Sequence, residues 1–303
     1  MSKDQDMNER CGVVAVVGAP NAGKSTIVNA LVGQKVAITS PKAQTTRTRV
    51  MGIAMEGQAQ IVLVDTPGIF APGRRLDRAM VAAAWSGTQD ADLIAVIVDG
   101  RAGLGPKMEP IIAGLAKRRE PKWLILNKVD IADKGKLLIL AEKLNAELAP
   151  AETWFVSATT GDGLAELKTA MAKAMPEGPW HFPEDQASNA TDRLFAAEVT
   201  REQLYHQLND ELPYKSAVET EQYKERQDGS VEIHQQILVE RASQRAIVLG
   251  KGGTRLKEIG SRARAELGNL LGVKVHLYLH VKVKENWDED RHVYRDIGLD
   301  WVD

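Results

Sequence analysis

Short apolar runs recur at 12–17, 49–55, 60–64, 93–98, 122–126 and 153–156, each the length of one buried strand. Between them, 25–32, 75–86, 108–118, 134–147 and 164–175 carry apolar residues at helical spacing. Strand and helix alternating in this way predict an α/β domain built on a mostly parallel six-stranded sheet covered on both faces. Only Glu56-Gly57-Gln58-Ala59 separates the second and third runs, a hairpin signal that predicts one antiparallel edge pair.

From Pro176 to Asp192 three prolines and two aromatic residues interrupt the periodicity, which predicts a linker over 177–192 between domains at 1–176 and 193–303. Beyond it the order is helix (192–208), strand (214–226), strand (231–241), short helix, a glycine-rich turn, helix (255–270) and strand (272–283). This second domain is of the α+β class.

Composition narrows the picture. With 303 residues, 44% of them hydrophobic, the chain is long enough for two cores. Its one cysteine, Cys11, lies in the first apolar run and reads as a small buried hydrophobe. The six histidines show no metal spacing; His276 and His280 sit in an alternating, strand-like run. No apolar stretch reaches the roughly 18 residues that span a bilayer. Acidic Asp4, Asp6 and Glu9 precede the run 12–19, so it does not read as a secretory signal, and a cytoplasmic location is expected.

Four segments carry candidate chemistry. Gly18-Ala19-Pro20-Asn21-Ala22-Gly23-Lys24-Ser25, followed by Thr26, lies between a strand and a helix, the context a phosphate-binding loop requires. Its glycines let backbone N–H groups turn toward phosphates, Lys24 reaches the β and γ oxygens, and the Ser25 hydroxyl suits Mg²⁺. Asp65-Thr66-Pro67-Gly68 ends the third strand, where open α/β sheets place ligands. Asp65 suits the Mg²⁺ shell, and Gly68 leaves an N–H free for a γ-phosphate. Asn127-Lys128-Val129-Asp130 follows the fifth strand and decides the base. A carboxylate at Asp130 accepts from both N1–H and the 2-amino group of guanine, whereas adenine offers no donor there and would leave a buried charge unpaired. Ser157-Ala158, after the sixth strand, can give a backbone N–H to guanine O6. Together they predict GTP and GDP as ligands.

The form GAPNAGKS, the stretch Gln44-Thr45-Thr46-Arg47, DTPG, NKVD and SA resemble the translation-factor-related GTPases. Pro176-Glu177-Gly178-Pro179, Phe182-Pro183-Glu184-Asp185 and the segment from Ile247 to Gly260 narrow the resemblance to the Era family, over essentially the whole chain. It implies a type II KH domain after the GTPase domain and binding of 16S ribosomal RNA near its 3′ end during assembly of the 30S subunit. The protein is expected to act as a monomer.

In the second domain Gly250-Lys251-Gly252-Gly253 matches the GxxG loop of such domains, whose N–H groups approach the phosphates of about four unpaired nucleotides. Lys251 and Arg255 are the expected phosphate contacts. From Arg241 to Lys284 ten Lys or Arg face two Glu in a chain of net charge −2, a local positive field suited to nucleic acid. Acidic residues return at Trp287-Asp288-Glu289-Asp290 and cap the patch.

The expected reaction is attack of water on Mg·GTP, with Lys24, Thr46 and the metal stabilising charge; Ser25, Thr46 and Asp65 are the expected metal-shell residues. Spacing does not separate Thr46 from Thr45 as the switch threonine. Ras-like enzymes place a glutamine after DxxG, but here Ile69 and then Phe70 follow, so slow intrinsic turnover is expected. Asn21 matches an asparagine with which some related GTPases hold K⁺, a second candidate cofactor. Two alternatives stay open: a signalling GTPase whose second domain binds protein, and a peripheral GTPase at the inner membrane, where related proteins are known and the basic patch would meet anionic lipid.

Overall fold

The computed structural model describes residues 9–302 apart from 43, 107 and 210, so Asp4 and Asp6 lie outside the described residues. The chain divides into two units. One comprises the residues up to Ala37, Thr46–Gly73 and Met80–Asn189; the other comprises Ile38–Thr45, Arg74–Ala79 and everything from Ala190.

The first unit is built on β1 (Arg10–Gly18), β2 (Val50–Glu56), β3 (Ala59–Asp65), β4 (Leu93–Asp99), β5 (Lys122–Asn127) and β6 (Glu152–Phe155), in spatial order β2-β3-β1-β4-β5-β6. The β2–β3 pair is antiparallel and the other pairings are parallel. The strands read as unbroken apolar runs because both sheet faces are buried. Along β1, Val14 and Val16 enter one core, with α1 (Lys24–Val32) and α5 (Leu164–Ala174). Ala15 and Val17 enter the other, with α3 (Glu109–Leu115), α4 (Lys134–Leu148) and the end of α2 (Arg75–Ser86). Helix α3 is shorter than its apolar pattern predicts: Lys117 and Arg118 bond back to the Gly114 and Leu115 carbonyls in tight turns that end it.

Residues 176–189, which carry the prolines of the expected linker, run along this sheet. Ile53 N–H donates to Ala187 O at 2.8 Å and Met51 N–H to Asn189 Oδ1 at 3.0 Å, so the edge strand β2 is covered. The holding point is Gln60, fully buried near the start of β3 beside the apolar run Ile61 to Val64. Its Oε1 accepts the N–H groups of His181 and Phe182 at 2.9 and 3.0 Å, and its Nε2 donates to Phe182 O at 2.8 Å. Cys11, the small buried hydrophobe expected, lies beside it at 3.6 Å, and burial pushes its thiol up.

In the second unit α6 (Asp192–Gln207), α7 (Ala242–Leu249) and α8 (Thr254–Leu271) pack on β7 (Ser216–Glu225), β8 (Val231–Val239) and β9 (Val275–Val283). The sheet order is β7-β8-β9, the first pair antiparallel and the second parallel. This is the α-β-β-α-α-β order of a type II KH domain. β7 starts at Ser216, later than its pattern predicts, because Leu212–Lys215 forms a 3₁₀ turn around Pro213. The acidic stretch after β9 does more than cap a patch. Asp290 starts a further helix, α9 (Arg291–Asp296), by accepting the His292 N–H, while pairing with Lys284 at 2.6 Å. Trp287, 2% exposed, anchors that stretch by donating from Nε1 to Lys215 O. Among the described residues no helix is long and apolar enough to cross a membrane.

Replacing Gln60 with Leu strands two part-buried N–H donors and one carbonyl. Urea unfolding should register a loss of about 2–4 kcal/mol, at about 1–3 kcal/mol per orphaned group with partial rescue by water.

Candidate nucleotide and RNA sites

Strands β1, β3, β5 and β6 end on the same side of the first unit's sheet, and a predicted segment leaves each of them. The loop after β1 turns into α1 at Gly23, where the backbone takes φ +97° and a Cβ would lie 2.2 Å from Asn127 Nδ2. Only glycine fits there. Gly68 is equally constrained, since a Cβ would stand 2.8 Å from Pro20 of the phosphate loop. The Ile69 N–H donates to Gly18 O at 3.2 Å, which joins the second segment to the first.

Ser25 Oγ lies 2.6 Å from Asp65 Oδ2 and 2.8 Å from Thr46 Oγ1, which is itself 3.2 Å from Asp65 Oδ2. Asp65 is fully buried, and its Oδ1 has no hydrogen-bond partner. Burial pushes its carboxyl up against the opposing pull of Lys24 and the two hydroxyls. Three converging oxygens and an unsatisfied fourth suit a hard dication, whose octahedral ligands at about 2.1 Å stand about 2.9 Å apart. The geometry places Thr46 rather than Thr45 in this cluster; Thr45 Oγ1 is turned away onto Lys42 O at 2.9 Å.

Lys24, 6% exposed, points its ammonium at the Gly18 and Ala19 carbonyls, 3.2 and 3.1 Å away. Burial pushes it down to about 8, with Asp65 pulling the other way. Thr66 is also fully buried and donates to Val16 O at 2.7 Å, fastening the second segment to β1. Ile69 is 1% exposed and part of the core with Ala15 and Val17, so it presents no group that can orient water.

The segment expected to recognise the base is tied to the phosphate loop. Asn127, 2% exposed, donates to Ala22 O at 2.9 Å and accepts the Ala158 N–H at 3.0 Å. The buried Ser157 donates its N–H to Asp162 O, so both N–H groups expected near a base oxygen have protein acceptors here. Lys128 takes φ +67°, and its ammonium bonds Asn21 O at 2.7 Å and Asp99 Oδ2 at 2.6 Å. Val129 packs against the core, and Asp130 is exposed. Asn21 also adopts a left-handed conformation, φ +66°. Sequence reasoning missed Asp99, whose only signal is a carboxylate at the end of β4.

In the second unit Gly250, Lys251, Gly252 and Gly253 join α7 to α8. A Cβ at Gly250 would meet Arg255 Cβ at 2.8 Å, and φ there is +71°. Lys251 is exposed, whereas Arg255 donates to Ile247 O at 2.8 Å, capping the end of α7. Beside the loop lies a groove of about 360 Å³ lined by Leu256, Lys257, Arg264, Leu277 and Leu279 among others. Gly260 keeps it open, its Cβ position being 3.3 Å from Leu279. Lys257 and Arg264 escaped sequence reasoning, although with Gly253, Gly260 and Ser261 they follow the helical repeat of one α8 face.

A phosphate loop followed by a tied base-recognition loop, with a GxxG groove in a separate unit, defines a P-loop nucleotide-binding protein carrying a KH domain. The profile of the family described as 50S ribosome-binding GTPase matches residues 13–128, and that of the KH domain matches residues 211–288. The chain is 61% identical to the GTPase Era of Erythrobacter litoralis over 97% of its own length and 98% of that protein's. It is 55% identical to the GTPase Era of Afipia carboxidovorans, over 99% and 98% of the two chains. Among solved structures, a single-residue variant of Aquifex aeolicus Era bound to GDP·AlF4⁻ superposes with TM-score 0.90 at 38% identity, covering 95% of this chain and 99% of that one. An Era complex with MgGDPNP and nucleotides 1506–1542 of 16S ribosomal RNA gives the same score and identity, covering 96% and 99%. The chain belongs to the Era family of GTPases.

The depressed Lys24 carries a pH consequence. Polyphosphate beside it favours the ammonium, so above about pH 8 nucleotide binding must take up a proton, and affinity falls as pH rises further. Calorimetry at pH 8.5 in buffers of different ionisation heat should show that uptake. Lys24→Arg, charged throughout, should lose it.

Proposed function

We propose that this chain binds Mg·GTP in the first unit, hydrolyses it to GDP and phosphate, and uses the second unit to bind 16S ribosomal RNA near its 3′ end as an assembly factor for the 30S subunit. The observation that carries the reading is the Ser25, Thr46 and Asp65 cluster, with an unpartnered Asp65 oxygen beside a buried Lys24. That is the donor set for a metal and two phosphates, and a relative of the same fold is known with MgGDPNP and RNA together.

In this reading the metal, when bound, neutralises charge on the β and γ oxygens, and Ser25, Thr46 and Asp65 hold it directly or through water. Lys24, the backbone N–H groups that the loop 18–26 offers apart from Pro20, and that of Gly68 bind the polyphosphate. Water attacks the γ-phosphorus, the bond to the β–γ bridging oxygen breaks, and GDP leaves with the negative charge. Asp130, with Asn127, Lys128, Val129, Ser157 and Ala158, selects guanine. The position after Gly68 holds Ile69, apolar and buried, which cannot orient the water, so basal turnover is slow. A relative that accommodates GDP·AlF4⁻ supports hydrolysis at such a site. K⁺, were it held by Asn21, would supply part of the missing positive charge.

RNA lies along the α8 groove, its phosphates on the N–H groups of Gly250–Gly253, with Lys251 and Arg255 beside them. In this reading the chain acts as a monomer in the cytoplasm. A peripheral fraction at the inner membrane would draw on the same basic patch.

Lys251→Asp combined with Gly252→Asp should weaken binding to the 3′ segment of 16S RNA at least about tenfold with GTP affinity unchanged. Equal RNA affinity in a filter-binding assay rejects the RNA reading. Steady-state hydrolysis should run severalfold faster in potassium than in sodium buffer, and equal rates remove K⁺ from the scheme.

A further inference from the structure

Two segments that border the nucleotide cluster fold as part of the second unit: Ile38–Thr45, which ends one residue before Thr46, and Arg74–Ala79, which follows the Asp65–Gly68 segment. Helix α6 grips the first of them by its backbone. Glu202 Oε1 accepts the Thr39 N–H at 2.7 Å, Tyr205 Oη donates to Gln44 O at 3.1 Å, and Arg201 donates from its guanidinium to Thr45 O. In return Lys42 donates its ammonium to Leu208 O, at the end of the helix.

Arg201 is the unusual member. It is 2% exposed, its Nε bonds Glu198 Oε1 at 2.7 Å, and its guanidinium lies over the Tyr205 ring at 5.2 Å. Burial works against its charge, but Glu198 more than offsets this and holds its proton affinity above the ordinary value. A buried ion pair adds little stability over an apolar pair of the same shape, but it fixes a donor in one direction. Here that direction is a single backbone carbonyl, and the next residue is Thr46, with its hydroxyl 2.8 Å from Ser25 Oγ.

We propose that Arg201 is a positioning residue for the nucleotide switch: by holding the Thr45 carbonyl it keeps the Thr46 hydroxyl in the Ser25–Asp65 cluster, so that α6 and a γ-phosphate favour the same conformation. The proposal rests on the GTP-switch reading given above. It adds a direction of coupling, because a group that stabilises the conformation chosen by GTP must itself be stabilised when GTP binds. Within the second unit α6 packs against α8, the groove helix, with Gln203 Nε2 donating to Glu266 Oε2 at 3.0 Å. The grip on Thr45 and the RNA groove therefore share a rigid support.

The test uses the full chain with Mg²⁺ and compares affinities for GDP and for a non-hydrolysable GTP analogue in wild type, Arg201→Ala and Tyr205→Phe. Arg201→Ala should lose about tenfold in analogue affinity, with GDP affinity within about twofold of wild type, because the competent conformation becomes less populated. Tyr205→Phe, which keeps the ring and removes one hydrogen bond, should shift the same ratio by a few fold. Thermal melting shows whether each variant folds; should Arg201→Ala not fold, Tyr205→Phe decides alone. An unchanged analogue-to-GDP ratio in the folded variants overturns the role of Arg201. RNA affinity measured in both nucleotide states separates this failure from the other: a wild-type chain with no nucleotide effect on RNA binding rejects the switch reading itself.

Discussion

A fully buried carboxylate with one unsatisfied oxygen is the constraint around which the first unit is arranged. Asp65 is excluded from water, and the groups around it are two hydroxyls and one buried ammonium. An uncompensated charge in such a place is unfavourable by several kcal/mol, which is sustainable only where a cation completes it. Three parts of the chain build that cluster. β3 delivers Asp65 at its end, the glycine at 23 lets α1 present Lys24 and Ser25, and Thr46 arrives from a segment held elsewhere.

Rigidity at this site comes from close backbone approach rather than from bulk. Gly23 sits against the Asn127 amide and Gly68 against Pro20, each so near that a single added carbon has no room. The Asn127 side chain then bonds both Ala22 and Ala158, so one amide couples the phosphate loop to the two loops expected to hold the base. A nucleotide therefore meets a site whose parts are already registered to one another, and less of its binding free energy is lost to ordering them.

The second unit uses a different logic. Its groove is bounded by a helix face and by alternate residues of β9, with Leu277 and Leu279 turned in and charge supplied by Lys257 and Arg264. Apolar walls with basic rims suit unpaired bases and their phosphates. Helix α6 carries a run of buried polar residues, Thr200, Arg201, Glu202 and Gln203. Only their partners, Gln235, the backbone of 39–45 and Glu266, account for them.

The strands, nearly every helix and the four nucleotide motifs were legible in the chain itself, because each is encoded over a few neighbouring residues: period, glycine placement, and a carboxylate at a strand's end. The short α9 and the anchoring role of Trp287 were not, since an acidic stretch acquires helical meaning only when Asp290 meets Lys284 and Trp287 meets Lys215. The choice of Thr46 over Thr45, the pinning of 181–182 by Gln60, and the folding of Ile38–Thr45 with the second unit were decided by tertiary structure alone. Each depends on residues far apart in sequence whose pairing leaves no periodic trace, so local spacing identifies the chemistry while the folded chain selects which atoms perform it.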